Sequence, residues 1–204
     1  MDHACIIDHA SNADIARWIA TRLEAALTDG SIAIALPGGS TPFPILELLA
    51  AYPLAWDRLV IYPTDDRLVA EDHPASNTGK LRTLFEPLGA VVCPLVPLST
   101  PPYFALVWLG MGADGHVASL FPNTDPRAND PQDVRRLTPD PLPPEAPFDR
   151  MTLTIPALLN SDELLFVIRG EEKARVFEAA VQGENDLPVA RLLAACDAPV
   201  TCFT

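Results

Sequence analysis

The chain has 204 residues, 49% of them hydrophobic and 20% charged, which suits a globular protein with a buried core and excludes a disordered one. Fourteen Lys and Arg stand against 27 Asp and Glu, and the formal net charge of -13 argues against nucleic acid as a general partner. No apolar run is long enough to span a bilayer, and the opening Met1-Asp2-His3-Ala4-Cys5 has no basic leader, so the expectation is a soluble, cytoplasmic protein with no membrane partner and no export signal.

Ala4 to Ile7 reads as a short strand. Ser11 to Leu27 reads as a helix, with Ile15, Trp18, Ile19, Leu23 and Ala26 on one face, Ser11 or Asn12 as cap, and Gly30 past its end. Ile32 to Leu36 is a buried-strand run. It breaks at Pro37-Gly38-Gly39-Ser40-Thr41-Pro42, after which Ile45, Leu48 and Leu49 mark a second helix. Leu59 to Tyr62 is a strand, a polar loop runs through Asn77, and Lys80 to Phe85 is helical. Phe104 to Leu109, Met151 to Ile155 and Leu164 to Ile168 read as strands, Glu171 to Val181 as a helix, and Pro199 to Phe203 as a last strand. Strands alternating with helices predict an α/β fold with a mostly parallel sheet, as one domain over residues 1–204. Residues 122–147 hold eight prolines and read as a long irregular excursion.

Cys5, Cys93, Cys196 and Cys202 are scattered, without ligand spacing, so they read as free thiols and no metal site is expected. In so acidic a chain an anionic ligand must be held by a few focused donors. The first candidate is the turn from Gly38 to Pro42 between strand and helix. Glycines admit a ligand close to the backbone, free N–H groups at the helix start suit an anion, and Pro42 loses nothing at that position. A plain capped turn is the alternative. The turn lacks both the Gly-Lys-Thr of a triphosphate loop and the dinucleotide G-x-G-x-x-G.

The second candidate, Thr64-Asp65-Asp66-Arg67, lies just past a strand end, where doubly wound sheets collect ligands. Arg67 offers a fork for phosphate oxygens, while Asp65 and Asp66 can orient it or take sugar hydroxyls. A solvated turn is the alternative. Ser76-Asn77 reads only as a helix cap. The third candidate is Gly110-Met111-Gly112-Ala113-Asp114-Gly115-His116. Its three glycines frame His116, and an imidazole, with a reference pKa near ~6.5, can accept a proton near neutral pH. Asp114 shares that loop. His3, His9 and His73 have no such frame.

Taken in order, these stretches resemble the glucosamine-6-phosphate isomerase/6-phosphogluconolactonase superfamily, on its 6-phosphogluconolactonase side. The residues that carry the resemblance are Leu36 to Pro42, Asp65 to Val69 with Ser76-Asn77, Leu109 to Pro122, Arg150 to Thr154, Val167 to Lys173 and Leu187 to Leu192. The resemblance implies a modified Rossmann-like sheet flanked by helices and hydrolysis of a small sugar-phosphate lactone in the oxidative pentose phosphate pathway. It also implies no required metal or other cofactor, and a monomer or weak homodimer. It makes His116 the general base, with Asp114 beside it. Gly38, Gly39, Ser40, Thr41, Asp65, Arg67, Gly112 and Lys173 become substrate and phosphate contacts, although Lys173 alone reads as a surface lysine. Ser40 has no nucleophile-elbow setting, and Ser119 reads as loop structure.

The chain departs from the family pattern in Asp-Asp-Arg for Asp-Glu-Arg and in His-Val-Ala-Ser for His-Thr-Ala-Ser. It also has only Leu98 to Tyr103 where a helix is usual, and a short end after Phe203-Thr204. A deaminase-isomerase of the same superfamily is the rival, but it implies an Asp-Glu-Tyr-like loop and an Asn-Glu-Pro tail. A non-catalytic sugar-phosphate sensor is the other.

Overall fold

The computed structural model describes residues 4–28, 30–142 and 147–204; His3 and part of the proline-rich excursion lie outside them. The strands of the main sheet are β1 (Ala4–Ile7), β2 (Ile32–Leu36), β3 (Leu59–Pro63), β5 (Val91–Val92), β6 (Phe104–Leu109), β9 (Leu164–Val167) and β10 (Val200–Phe203). They lie in the order β1-β10-β9-β6-β2-β3-β5, and every pair is parallel. From β2 the chain steps outward through β3 to β5, then returns to lay β6 on the other side of β2 and continues outward to β9 and β10. The topological switch point therefore falls between β2 and β6.

Alternation along each strand gives the sheet two apolar faces. Ile34, Leu36, Leu106, Trp108, Leu165 and Val167 point to the face covered by α1 (Asn12–Ala26), α2 (Pro42–Ala50) and α3 (Asn77–Phe85). Ala33, Ala35, Val107, Leu109, Leu164 and Phe166 point to the other face, under α4 (Ile155–Leu159), α5 (Glu171–Gln182) and α6 (Pro188–Ala194). Both faces being covered explains the continuous apolar reading of these strands. Phe166 stacks on Phe177 of α5 at 5.0 Å, and truncating such a fully buried ring costs about 3–5 kcal/mol.

Helix α1 forms as its pattern predicts. Ile15, Ile19 and Leu23 are buried, and Ser11 and Asp14 make a reciprocal capping box. Trp18 sits at the edge of that face, against Phe203 at 5.6 Å. In α2 the buried residues are Pro42, Ile45, Leu46 and Leu49, while Leu48, expected on the core face, is 42% exposed.

Four expectations need correction. The polar loop after β3 contains a strand, β4 (Asp65–Arg67), and α3 starts at Asn77, three residues earlier than Lys80, because Ser76 caps it by accepting from Gly79 N at 3.0 Å. The excursion is not wholly irregular: β7 (Val134–Leu137) pairs with β8 (Arg150–Leu153), and β8 with β4, in a small antiparallel sheet. The strand expected to reach Ile155 stops at Leu153, because Pro156 opens the first turn of α4. The short β5 and α6 carried no readable period. Between Leu98 and Phe104 no helix intervenes, and Leu98 and Tyr103 are exposed. Among the described residues no helix is long and apolar enough to cross a membrane.

Candidate active site

A cleft of about 350 Å³ opens over the carboxyl ends of β2, β3, β6 and β9, at the switch point. The turn from Pro37 to Pro42, Thr64-Asp65, Arg67, Gly110 to Gly112, His116, Ser119 and Lys173 line it, so the three candidate loops meet in one place. Thr64 ties the small sheet to the large one: its N–H donates to Leu36 O at 2.9 Å, and its carbonyl accepts from Leu153 N at 3.0 Å. That link carries Arg67 and Arg150, directly opposite each other on β4 and β8, to the cleft wall.

The first loop has the conformation its glycines allow. Gly39 lies at φ 104°, a left-handed value that side chains resist. Gly38 serves a different purpose, since a Cβ there would overlap the Asn77 amide. Asn77 donates to Asp65 O at 2.8 Å and accepts from Arg67 Nη1 at 3.1 Å, so it braces Arg67 as well as beginning α3. The cap-only reading of Asn77 is therefore corrected. Thr41, the residue before α2, makes no side-chain cap bond, and Pro42 occupies the first turn. Pro42 and Pro44 carry no N–H, so the donors left at this helix start are those of Thr41 and Phe43, and no side chain caps them.

The two aspartates of the second loop part company. Asp66 is buried away from the cleft and accepts from Asn77 N at 2.6 Å, Thr78 N at 2.9 Å and Thr78 Oγ1 at 2.5 Å. It fixes the start of α3 and is not among the residues that line the cleft. Asp65 lines the cleft and accepts from Ser119 Oγ at 2.5 Å, so Ser119 is the bridge between the small sheet and the histidine loop. Burial pushes the Asp65 carboxyl above the ordinary range, against the lowering pull of Ser119, Arg67 and Arg150. Burial, then the like charge of Arg67, holds Arg150 below the usual arginine range.

In the third loop His116 Nδ1 lies 2.6 Å from Asp114 Oδ1, and His116 N donates to the same oxygen at 3.2 Å. The imidazole leans on Phe121 at 4.5 Å. Gly112 N donates to His116 O at 3.0 Å, closing the turn. A Cβ on Gly112 would overlap both the imidazole and the Asp114 carboxylate. Val189 N donates to Gly115 O at 3.0 Å, so the start of α6 holds the loop from behind.

Lys173, on the first turn of α5, donates to Met111 O at 3.0 Å. Arg67 Nη1 is held by Ala75 O and Asn77 Oδ1. Among the described residues neither forms an ion pair, although the chain has 27 acids and most of its arginines are paired with one. Buried Thr64 Oγ1, Arg67 Nε and Trp108 Nε1 have no hydrogen-bond partner, and all three residues line the cleft. Cations outside any close ion pair and orphaned donors in one cleft fit an oxygen-rich anion.

Arg150, Arg169, Trp108 and Phe121 also line the cleft and were not singled out as site residues from the sequence. The stretches that hold Arg150, Arg169 and Phe121 were legible only as a resemblance, and nothing in the local pattern of any of the four separates it from core or surface. Among the described residues no cluster of three or more His, Cys, Asp or Glu is placed to hold a metal ion.

The model of the family of glucosamine-6-phosphate isomerases/6-phosphogluconolactonase matches residues 8–94 and 87–201. The chain is 31% identical over 211 residues to a 6-phosphogluconolactonase of Mesorhizobium japonicum, covering 93% of this chain and 88% of that one. It is 34% identical over 206 residues to a 6-phosphogluconolactonase of Pseudomonas aeruginosa, with 89% and 86% covered. A solved 6-phosphogluconolactonase from Shewanella baltica superposes with a TM-score of 0.82 at 26% identity, over 98% of this chain and 97% of that one.

Proposed function

Because this chain belongs to the glucosamine-6-phosphate isomerase/6-phosphogluconolactonase family, we propose that it hydrolyses 6-phospho-D-glucono-1,5-lactone to 6-phosphogluconate, the lactonase step of the oxidative pentose phosphate pathway, with His116 activating the water. The observation that carries the reading is the His116–Asp114 pair at the wall of a cleft lined by arginine and lysine. Nδ1–H pointing at Asp114 fixes the tautomer and leaves Nε2 free to take a proton.

Water attacks C1 of the lactone as Nε2 accepts its proton, and the carbonyl oxygen becomes an oxyanion. The C1–O5 bond then breaks, and the proton passes from Nε2 to the leaving O5. The product acid ionises to solvent. General-base help of this kind is worth ~10²–10⁴-fold. Asp114 orients the imidazole and offsets its positive charge. Backbone N–H groups of the glycine-rich loop support the oxyanion.

The phosphate, bound by the turn at Gly39, Ser40 and Thr41 with Arg67 and Lys173, is the handle that holds C1 against the base. Gly38 and Gly112 contribute by having no side chain: one admits Asn77, the other admits the imidazole. Asp65, between Arg67 and Arg150, positions both cations. The Asp66-Arg67 pair and the Ser119-Leu120-Phe121-Pro122 sequence favour the lactonase over the deaminase-isomerase. The four free thiols favour a reducing cytoplasm as the place of work. The test is hydrolysis of freshly generated lactone against its spontaneous rate, with ammonia release from glucosamine 6-phosphate as the competing activity.

A further inference from the structure

Helices α1 and α3 each begin with a serine whose side chain accepts a backbone N–H, Ser11 from Asp14 and Ser76 from Gly79. Two further helices that start beside the cleft do not: α2 follows Thr41 and α5 follows Gly170, with no side-chain cap bond at either. Their free N–H groups and positive dipole ends are thus left for something else.

Arg169 stands where the second of these helices begins. β9 ends at Val167, Arg169 lines the cleft two residues later, and Gly170, at φ 95°, turns the chain into α5. The Arg169 guanidinium is steadied by neutral oxygens: Nη2 donates to Ala10 O at 2.9 Å and Asn12 Oδ1 at 3.4 Å, at the entry to α1. Among the described residues these contacts engage Nη2 alone, and no carboxylate pairs with the group. Lys173 lines the same cleft, held by the Met111 carbonyl. The nearest acid in sequence, Glu171, turns outward to Arg175 at 3.0 Å.

We propose that Arg169 is a phosphate-binding residue of this cleft, gripping the substrate's phosphate beside Lys173 and the amino end of α5; this rests on the lactonase reading for the identity of the substrate. A planar fork already pinned at one nitrogen gives its remaining donors to phosphate oxygens with little loss of side-chain freedom. Arg169 then sets affinity and does not touch the reacting carbon, so its loss raises KM and leaves kcat in place.

The test compares wild type, Arg169→Gln and Arg169→Lys in lactone hydrolysis, and titrates each with inorganic phosphate by calorimetry. A hydrogen bond to a charged group lost from the ground and transition states alike predicts KM and the phosphate Kd of Arg169→Gln both raised about tenfold or more, with kcat within about twofold. Arg169→Lys recovers part of the affinity. Unchanged KM and phosphate affinity in Arg169→Gln, with only a lower thermal midpoint, would overturn the proposal and leave Arg169 as a brace for α1. If wild type does not hydrolyse the lactone, the functional reading fails, and the phosphate titration still decides the role of Arg169.

Discussion

Gly112→Ala tests whether the glycine frame exists to seat the base. Gly112 has no positive φ, so alanine adds no backbone strain; its whole effect is the added methyl. That methyl would sit inside van der Waals contact of the imidazole of His116 and of Asp114 Oδ1 at once. One of two things must yield: the 2.6 Å Nδ1···Oδ1 contact, or the position of the ring over the cleft. Overpacking of this kind costs about 1–3 kcal/mol of stability, and a displacement of about 1 Å at a reacting group costs ~10²-fold in rate. We expect kcat to fall about a hundredfold, KM to change little because the phosphate handle is untouched, and the thermal midpoint to drop by a few degrees, about what that cost implies. The assay is steady-state hydrolysis of fresh lactone, corrected for the spontaneous rate, beside a thermal melt. A Gly112→Ala protein with kcat within about twofold of wild type would refute the idea that this glycine is there to admit the imidazole.

Asp65→Asn separates stability from activity. The folded protein holds the Asp65 proton more tightly than the unfolded chain, so what this group adds to stability is present below the ordinary carboxylate range and is lost as pH rises through its raised value. Asn, which still accepts from Ser119, should raise the thermal midpoint near neutral pH, do little at about pH 4, and lower lactonase activity by removing the charge between Arg67 and Arg150. A lower midpoint at neutral pH contradicts the sign of this argument. Arg191 of α6 holds the excursion through Asp125 at 3.0 Å and Pro126 O at 3.1 Å, and is itself steadied by Asp186 at 2.7 Å. Limited proteolysis of Arg191→Ala should cut faster around Asp125–Arg127 while kcat stays within about twofold; an unaltered cleavage rate would show that the tether is not what holds this segment.

The main sheet was legible because its strands are buried on both faces and so read as continuous apolar runs from Ile32, Phe104 and Leu164. Of the small sheet only the strand read at Met151 to Ile155 was legible. Asp65-Asp66-Arg67 has no apolar alternation, and its strand exists only because Arg150–Leu153, far off in sequence, pairs with it. The same distance hid Asp65–Ser119, 54 residues apart, and Lys173–Met111, 62 residues apart. Local chemistry pointed to His116, because three glycines around one imidazole are unusual, and to Arg67, because it follows a strand end. It offered no means of telling Asp65 from Asp66. Topology sends one to the cleft and the other to the cap of α3. Arg169 stood in the sequence only within the Val167 to Lys173 stretch, and its place at the cleft comes from the fold, where β9 ends two residues before it.

The most direct measurement is hydrolysis of freshly generated 6-phosphogluconolactone by wild type and His116→Ala, each against the uncatalysed rate. We expect clear acceleration by wild type and a loss of ~10²–10⁴-fold in the mutant. Equal acceleration by both would contradict the role given to His116, and no acceleration by wild type would contradict the lactonase reading itself.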